Sequence, residues 1–217
     1  MTSDSTVAYP AAPWHLSGSA IQTVQPISLA RSRRYIPANY EIVQIWPGFT
    51  LGGLYVAHYL AGSTLSYHEL IVIAGVVRYA HKLGFWISHL YVDNPISVAG
   101  GREIWGLPKQ MAAFSRSETP QINIAIAQAN TPFCQFAAQA RPLPLPPLYL
   151  PVAAFGQPFA RTGWFTASAR FQLQRLTSVQ IQVPASSPFV GLQLDSPWLA
   201  FRLKSLQLEV NAPQLLD

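Results

Sequence analysis

Charge is scarce in this chain: of 217 residues only 11% are Asp, Glu, Lys or Arg, against about a quarter in an average soluble domain. A surface so poor in charge is expected to be covered by self-association, so a homo-oligomer is expected. Lysine is scarcer still. Lys82, Lys109 and Lys204 are the three lysines among 14 cationic residues. With Cys134 the single cysteine, neither an intramolecular disulfide nor a multi-cysteine metal site can form, which fits a reducing compartment. The longest aliphatic run, 70–77, is far too short to span a bilayer. Met1 to Tyr9 lacks the basic start and apolar centre of a secretory leader. Membrane association is therefore not expected, and a cytoplasmic location is.

Other absences narrow the function. The formal net charge of +5 and pI of about 9.6 raise the question of nucleic acid, but the arginines are scattered and no basic run is interleaved with aromatics. The densest group, Arg31, Arg33 and Arg34, falls on a short predicted helix, 29–36, that Ser28 can cap and Pro37 ends. That pattern reads as a solvated helical face, and the charge remains compatible with an anionic small molecule. The five histidines show no HExxH or other close zinc spacing, so no metal is expected. His58, His68 and His89 fall on neighbouring predicted strands, where satisfied core or surface histidines are the default. A Gly-x-Ser-x-Gly elbow is absent, which argues against a serine hydrolase.

Half of the residues are hydrophobic, enough for one large core, and a single domain is expected over 14–217 after a disordered N-terminus, 1–13. Strands are predicted at 20–25, 41–45, 54–59, 66–78 and 85–92, with 61–63 as a hairpin loop, and strand alternation returns at 171–183 and 199–210. On the strand after Leu65, period-two alternation puts Tyr67, Glu69, Ile71 and Ile73 on one side, with His68, Leu70 and Val72 on the other. Both sides are largely apolar, so Glu69 is a buried carboxylate that needs a partner or a raised pKa. A structural ion pair with Arg102 would satisfy it as well as a catalytic role would. The proline-rich stretch 142–151 reads either as a polyproline II ligand or as a stiff crossing whose leucines and Tyr149 pack against the domain.

Lys109 stands out because Pro108 precedes it and the almost wholly apolar run Gln110, Met111, Ala112, Ala113, Phe114 follows. An amine held away from water loses stability only in its charged form, so a reactive free amine becomes populated near neutral pH. The plainer reading is a lysine whose stem lies along apolar surface while its head reaches water. Asn94 and Pro95 start a short helix that ends at Gly106, and Pro108 biases Leu107 to extended backbone, so Lys109 emerges where helix gives way to strand. Gly100, Gly101 and Gly106 lack the spacing of a phosphate-binding loop and are expected to serve close packing. The adjacent Arg102 and Glu103 point in different directions and need separate partners.

The succession Tyr67-His68-Glu69, Tyr91-Val92-Asp93-Asn94, Gly101-Arg102-Glu103 and Pro108-Lys109 resembles the acetoacetate decarboxylase family, most clearly over 66–114. The resemblance implies a mainly β (α+β) fold, a closed or cone-like antiparallel β-barrel with a few short helices. It also implies a Schiff-base lysine, Lys109, with Glu69 managing protons, and a substrate pocket or support formed by Arg102, Glu103, Gln110, Tyr67, Trp105 and Met111. The implied activity is that of a lyase acting on a keto acid or related carbonyl compound, most specifically decarboxylating a β-keto acid, with no separate cofactor because the amine is the electron sink. Three positions depart from the family pattern. Gln110 replaces a second lysine, 16–24 contains no cation for a substrate carboxylate, and a second glutamate falls near Leu54. Imine-based aldolase or dehydratase chemistry, and a non-catalytic barrel binding an apolar carbonyl compound, remain open, as does an interaction protein that uses the proline-rich stretch.

Overall fold

The computed structural model describes residues 8–143 and 145–216. In chain order its elements are β1 (Trp14–Ser28), α1 (Leu29–Ser32), β2 (Glu41–Ile42), β3 (Phe49–Tyr59), β4 (Tyr67–Tyr79), β5 (Lys82–Val92) and α2 (Pro95–Trp105). They continue with β6 (Lys109–Met111), β7 (Ala113–Ser117), β8 (Ile122–Gln128), β9 (Thr131–Pro142), β10 (Leu148–Gly156), β11 (Thr162–Gln182), β12 (Leu199–Val210) and β13 (Gln214–Leu216). The fold is mainly β with few, short helices, as expected.

Hydrogen-bonded neighbours run β10, β5, β4, β3, β1, β12, β11, and β10 pairs with β11 as well as with β5. These strands therefore return on themselves as a ring. One feature departs from the expected antiparallel barrel: β10 and β6 each run parallel to β5. The reason is connectivity. A hairpin dictates antiparallel pairing, whereas β10 follows β5 only after α2 and the intervening strands, and that long crossover permits either direction. Beyond the ring, the far half of the 21-residue β11 pairs with β9, which carries β8 and β7 as an extension.

This extension explains why β3, β4 and β5 are apolar on both faces. Inside the ring, Trp14, Leu16, Tyr59, Tyr67, Leu90 and Phe171 belong to one buried cluster. On the outer faces Leu54, Val56, Leu70 and Val72 pack with Ile122, Ile124, Phe133 and Phe136 of the extension. The alternation predicted on β4 holds, with Tyr67, Glu69, Ile71 and Ile73 facing the interior cavity.

Local signals hold at α2 but not at α1, which spans Leu29–Ser32 instead of 29–36 and receives no side-chain cap from Ser28. The Asn94 side chain caps α2 by accepting from the amides of Ile96 and Ser97, and Gly106 closes it with φ 64°. Within the segment expected to be disordered, residues 1–7 lie outside the described residues, while Tyr9 donates to Glu103 at 2.6 Å and Pro10 accepts from the Trp14 indole at 2.9 Å. The proline-rich stretch ends β9 and connects it to β10, residue 144 lying outside the described residues. Its expected packing is absent at Tyr149, which is 68% exposed because its place on β10 alternates outward from that of Val152 and Ala154, which line the cavity.

The extension is tied back to the ring by charge. Glu118 accepts from Arg116 of β7 and Arg202 of β12, each at 2.7 Å, and Arg116 also reaches Ser19 of β1. Burial raises the Glu118 pKa, but the two guanidiniums outweigh it and hold the value below the ordinary 4.5. A carboxyl whose folded value is depressed stabilises the fold above its unfolded pKa and loses that contribution as pH falls. Wild-type stability in urea is thus expected to decline below pH about 4.5 more steeply than that of Glu118→Gln. Parallel curves would refute the link. At the helix end, a Cβ on Gly106 would stand 2.0 Å from the Gln157 carbonyl carbon and require left-handed backbone. Gly106→Ala is therefore expected to cost at least about 2 kcal/mol in urea unfolding.

Candidate active site

Lys109 opens β6, and its side chain runs back under α2 into the ring. Gly101 makes room for it: a Cβ there would lie 2.4 Å from the lysine Cδ. The Arg102 guanidinium donates to the Lys109 carbonyl at 2.7 Å and so anchors the backbone that carries the amine. Lys109 is 3% exposed. Its Nζ lies 2.9 Å from Glu69 Oε1 and donates to Ser97 Oγ at 2.9 Å, with the faces of Tyr67 and Trp14 at 5.0 and 5.5 Å. Burying either charge alone in such a place would be costly, and the pair forms because each compensates the other.

Glu69 is 4% exposed and hydrogen-bonded on its second oxygen, Oε2, by the Tyr59 hydroxyl at 3.1 Å. Tyr59 in turn meets the Tyr55 hydroxyl at 3.2 Å. Burial, followed by the nearby phenols and the Glu69 charge, pushes the Tyr59 pKa well above 10, and burial with the Glu69 charge does the same to Tyr67. Burial raises the Tyr55 pKa as well, so all three phenols remain protonated. The resulting chain of polar atoms, Tyr55, Tyr59, Glu69, Lys109 and Ser97, sits at one end of a cavity of about 360 Å³. Its remaining walls are overwhelmingly aliphatic and aromatic, and among the described residues Lys109 and Glu69 are its only charged lining. Among the described residues no three His, Cys, Asp or Glu cluster together.

The structure brings together Lys109, Glu69, Tyr67 and Trp105, all of which line the cavity. Trp105 donates its indole N–H to the Asn211 carbonyl at 2.7 Å. Arg102 and Glu103 stand outside, the first bonded to the Lys109 carbonyl and the second accepting from Tyr9. The postulated pairing of Glu69 with Arg102 does not occur, because Lys109 takes that place. Gln110 and Met111 do not line the pocket. Both are exposed, Met111 by 46%, and the residue after β6, Ala112, is buried in the outer-face cluster instead of the ring. His58 and His68 stack at 4.1 Å on the outer face, where His68 meets Asp93 at 2.7 Å, whereas His89 lies apart beside Tyr35 and Phe189.

Ser97, Tyr59, Tyr55 and Trp14 escaped the reading of the sequence. For the tyrosines a signal existed: in the β3–β4 hairpin Ala57 faces Glu69 and Tyr59 faces Tyr67, so alternation from Glu69 places Tyr55 and Tyr59 on the carboxylate's side. Ser97 and Trp14 approach from a helix and from a strand across the ring, and no local pattern marks them.

Comparison with known proteins identifies the family and the fold. The family model described as acetoacetate decarboxylase (ADC) matches residues 1–195, and the chain belongs to that family. Among solved structures, acetoacetate decarboxylase from Legionella pneumophila superposes with a TM-score of 0.71 at 14% identity, covering 96% of this chain and 89% of that one. The enduracididine biosynthesis enzyme MppR with HEPES buffer bound gives 0.68 at 14% identity, covering 99% and 91%. These likenesses concern the fold. In sequence, the chain is 33% identical over 111 residues to Protein NEOXANTHIN-DEFICIENT 1 of Arabidopsis thaliana, covering 51% of this chain and 39% of that protein. It is 31% identical over 118 residues to the Solanum lycopersicum protein of the same name, covering 54% and 40%. The chain thus spans about two-fifths of the length of these curated relatives.

Because Lys109 and Glu69 compensate each other in a dry site, removing one should hurt more than removing both. Glu69→Leu is expected to destabilise by about 3–5 kcal/mol, with the Lys109→Met, Glu69→Leu double variant less affected. Urea unfolding of the two singles and the double provides the cycle, and additive losses would contradict it.

Proposed function

We propose that this chain is an imine-forming lyase that acts on a keto acid or related carbonyl compound through Lys109. The observation that supports it most is an amine 3% exposed, 2.9 Å from a carboxylate, at the wall of an apolar cavity. Passing the shared proton from Nζ to Glu69 frees the nitrogen lone pair, which adds to the substrate carbonyl carbon. One proton moves from the nitrogen to the former carbonyl oxygen, giving a carbinolamine, and the protonated Glu69 supplies the second, with which that oxygen departs as water, leaving a protonated imine and a carboxylate. In a β-keto acid, the electrons of the bond to the carboxylate carbon flow into that imine. Carbon dioxide leaves, and an enamine remains. A solvent proton relayed through Glu69 restores the imine, and water releases the ketone and the lysine. The Tyr59 hydroxyl holds Glu69 in place throughout. No separate cofactor is needed, because the imine is the electron sink.

Decarboxylation is the specific form of this reading. A second, imine-based condensation or dehydration, draws support from the lack, among the described residues, of another cation in the cavity lining, since the carboxylate of a small β-keto acid would meet no second positive partner there. The fold neighbour MppR has been seen complexed with pyruvate. Either way, the imine is directly testable. Incubation with acetoacetate or pyruvate under borohydride is expected to add the reduced adduct to Lys109, as read by peptide mass spectrometry, and Lys109→Arg should show none. Carbon dioxide release then separates decarboxylation from condensation. Glu69→Gln should slow adduct formation about 10²–10⁴-fold. An unmodified Lys109 with every carbonyl compound offered would end the proposal, and an adduct without turnover would leave a binding barrel.

A further inference from the structure

Resting on that imine reading, the shape of the chamber says more about the compound it takes. Among the described residues its charged groups, Lys109 and Glu69, lie at one end with the Tyr59 and Tyr67 hydroxyls, and the polar side chain further down is Gln22. Along β12 the lining passes from Val210, Leu208 and Leu206 to Leu203 and Phe201. On β1 the same descent goes from Trp14, paired with Val210, to Gln22, paired with Phe201. Eight residues of strand at about 3.3 Å each, inclined as strands in a barrel are, give a depth on the order of 20 Å. Gln22, the uncharged amide low in the chamber, already has its nitrogen bonded to the carbonyls of Thr23 and Leu54, at 2.6 and 3.3 Å.

Exposure along the lining shows where the chamber opens. Trp14, Tyr59 and Tyr67 at the lysine end are buried and Leu208 and Val210 beside them partly so, whereas at the far end Leu150 is 49% exposed and Leu173 and Phe201 are partly exposed. Entry is thus from the end remote from the amine, along a wall that offers apolar surface all the way. A short keto acid would use only the last part of this path. We infer that the substrate is a carbonyl compound with a long apolar tail: the carbonyl reaches Lys109, and the tail fills the ring down to the Leu150, Leu173 and Phe201 mouth. A charged group placed midway down would be desolvated without a partner, so the tail is uncharged over the depth of the chamber.

A homologous series of straight-chain 2-alkanones, from propanone upward, tests this on the wild-type protein. Two readouts run in parallel: displacement of an apolar fluorescent dye from the cavity, and borohydride trapping at Lys109. Affinity is expected to rise about three- to fourfold with each methylene, then level off when the tail reaches the mouth. Oxo acids bearing a carboxylate partway along the same length should bind at least about a hundredfold more weakly. Ala169→Phe, whose backbone pairs with Leu150 and Leu208 and whose side chain enters the chamber, should bring the plateau to a shorter tail. A flat series, carboxylated compounds binding equally well, or a plateau that ignores Ala169→Phe would each overturn the inference. The two claims fail separately. If pyruvate modifies Lys109 while the series is flat, the tail is wrong and the imine stands. If affinity climbs with tail length but nothing ever modifies Lys109, the tail claim stands and the imine chemistry falls.

Discussion

A buried ion pair between Lys109 and Glu69 is the constraint around which the rest of the site is arranged. Two opposite charges 2.9 Å apart and almost closed to water are tolerable only if the remaining hydrogen-bonding capacity of each is met nearby. Ser97 takes one proton of the ammonium, Tyr59 donates to the free carboxylate oxygen, and two aromatic faces border the amine. Desolvation makes each of these contacts stronger than it would be at the surface, and it makes each omission more costly. Replacing the pair by well-packed apolar side chains would be the simpler way to stabilise such an interior, so stability alone is a weak account of why an amine is held there.

Holding that pair in place takes three separately built pieces. The β3–β4 hairpin delivers Glu69, Tyr55, Tyr59 and Tyr67 on one face. Helix α2 closes the end, with Ser97 pointing inward and Gly101 leaving space for the lysine stem. The turn after Gly106 then returns the chain as β6, parallel to β5 and anchored by Arg102. Each piece is locally simple. Chemistry arises where they meet, in a ring whose other lining is apolar, and the same apolar lining that isolates the pair defines what can share the chamber with it. The parts of the acetoacetate decarboxylase pattern that are kept, Glu69, Arg102 and Lys109, are those that build and position the pair. The departures remove charges: Gln110 stands outside the cavity, and Leu54 is buried in the second core on the outer face.

Legibility followed the range of the forces involved. The helix from Pro95 was readable because Asn94 and Gly106 are local chain-reversal chemistry, satisfied within a few residues. Glu69's burial was readable because alternation along one strand shows apolar neighbours on both sides. Gln110 and Met111 misled because adjacency in sequence says nothing about which way a three-residue strand turns its side chains. The outward Tyr149 misled for the same reason, since a tyrosine's size does not reveal the phase of the strand that carries it. The parallel β10 was invisible, because a crossover of more than fifty residues leaves strand direction to the packing of everything between.

What the sequence by itself determined was the strands up to Val92 and in the C-terminal third, the helix from Pro95, the two-faced apolar character of β4, the isolation of Lys109 and Glu69 as charges in apolar surroundings, and the family pattern that links them. Only the tertiary structure decided that these two residues are partners, that Ser97 and Trp14 complete their surroundings, and that the space beyond them is a deep apolar chamber opening at its far end. The reason is physical: propensity, capping and alternation act between neighbours along the chain, whereas a cavity and a buried ion pair exist only after ring closure brings β4, α2 and β6 to one place.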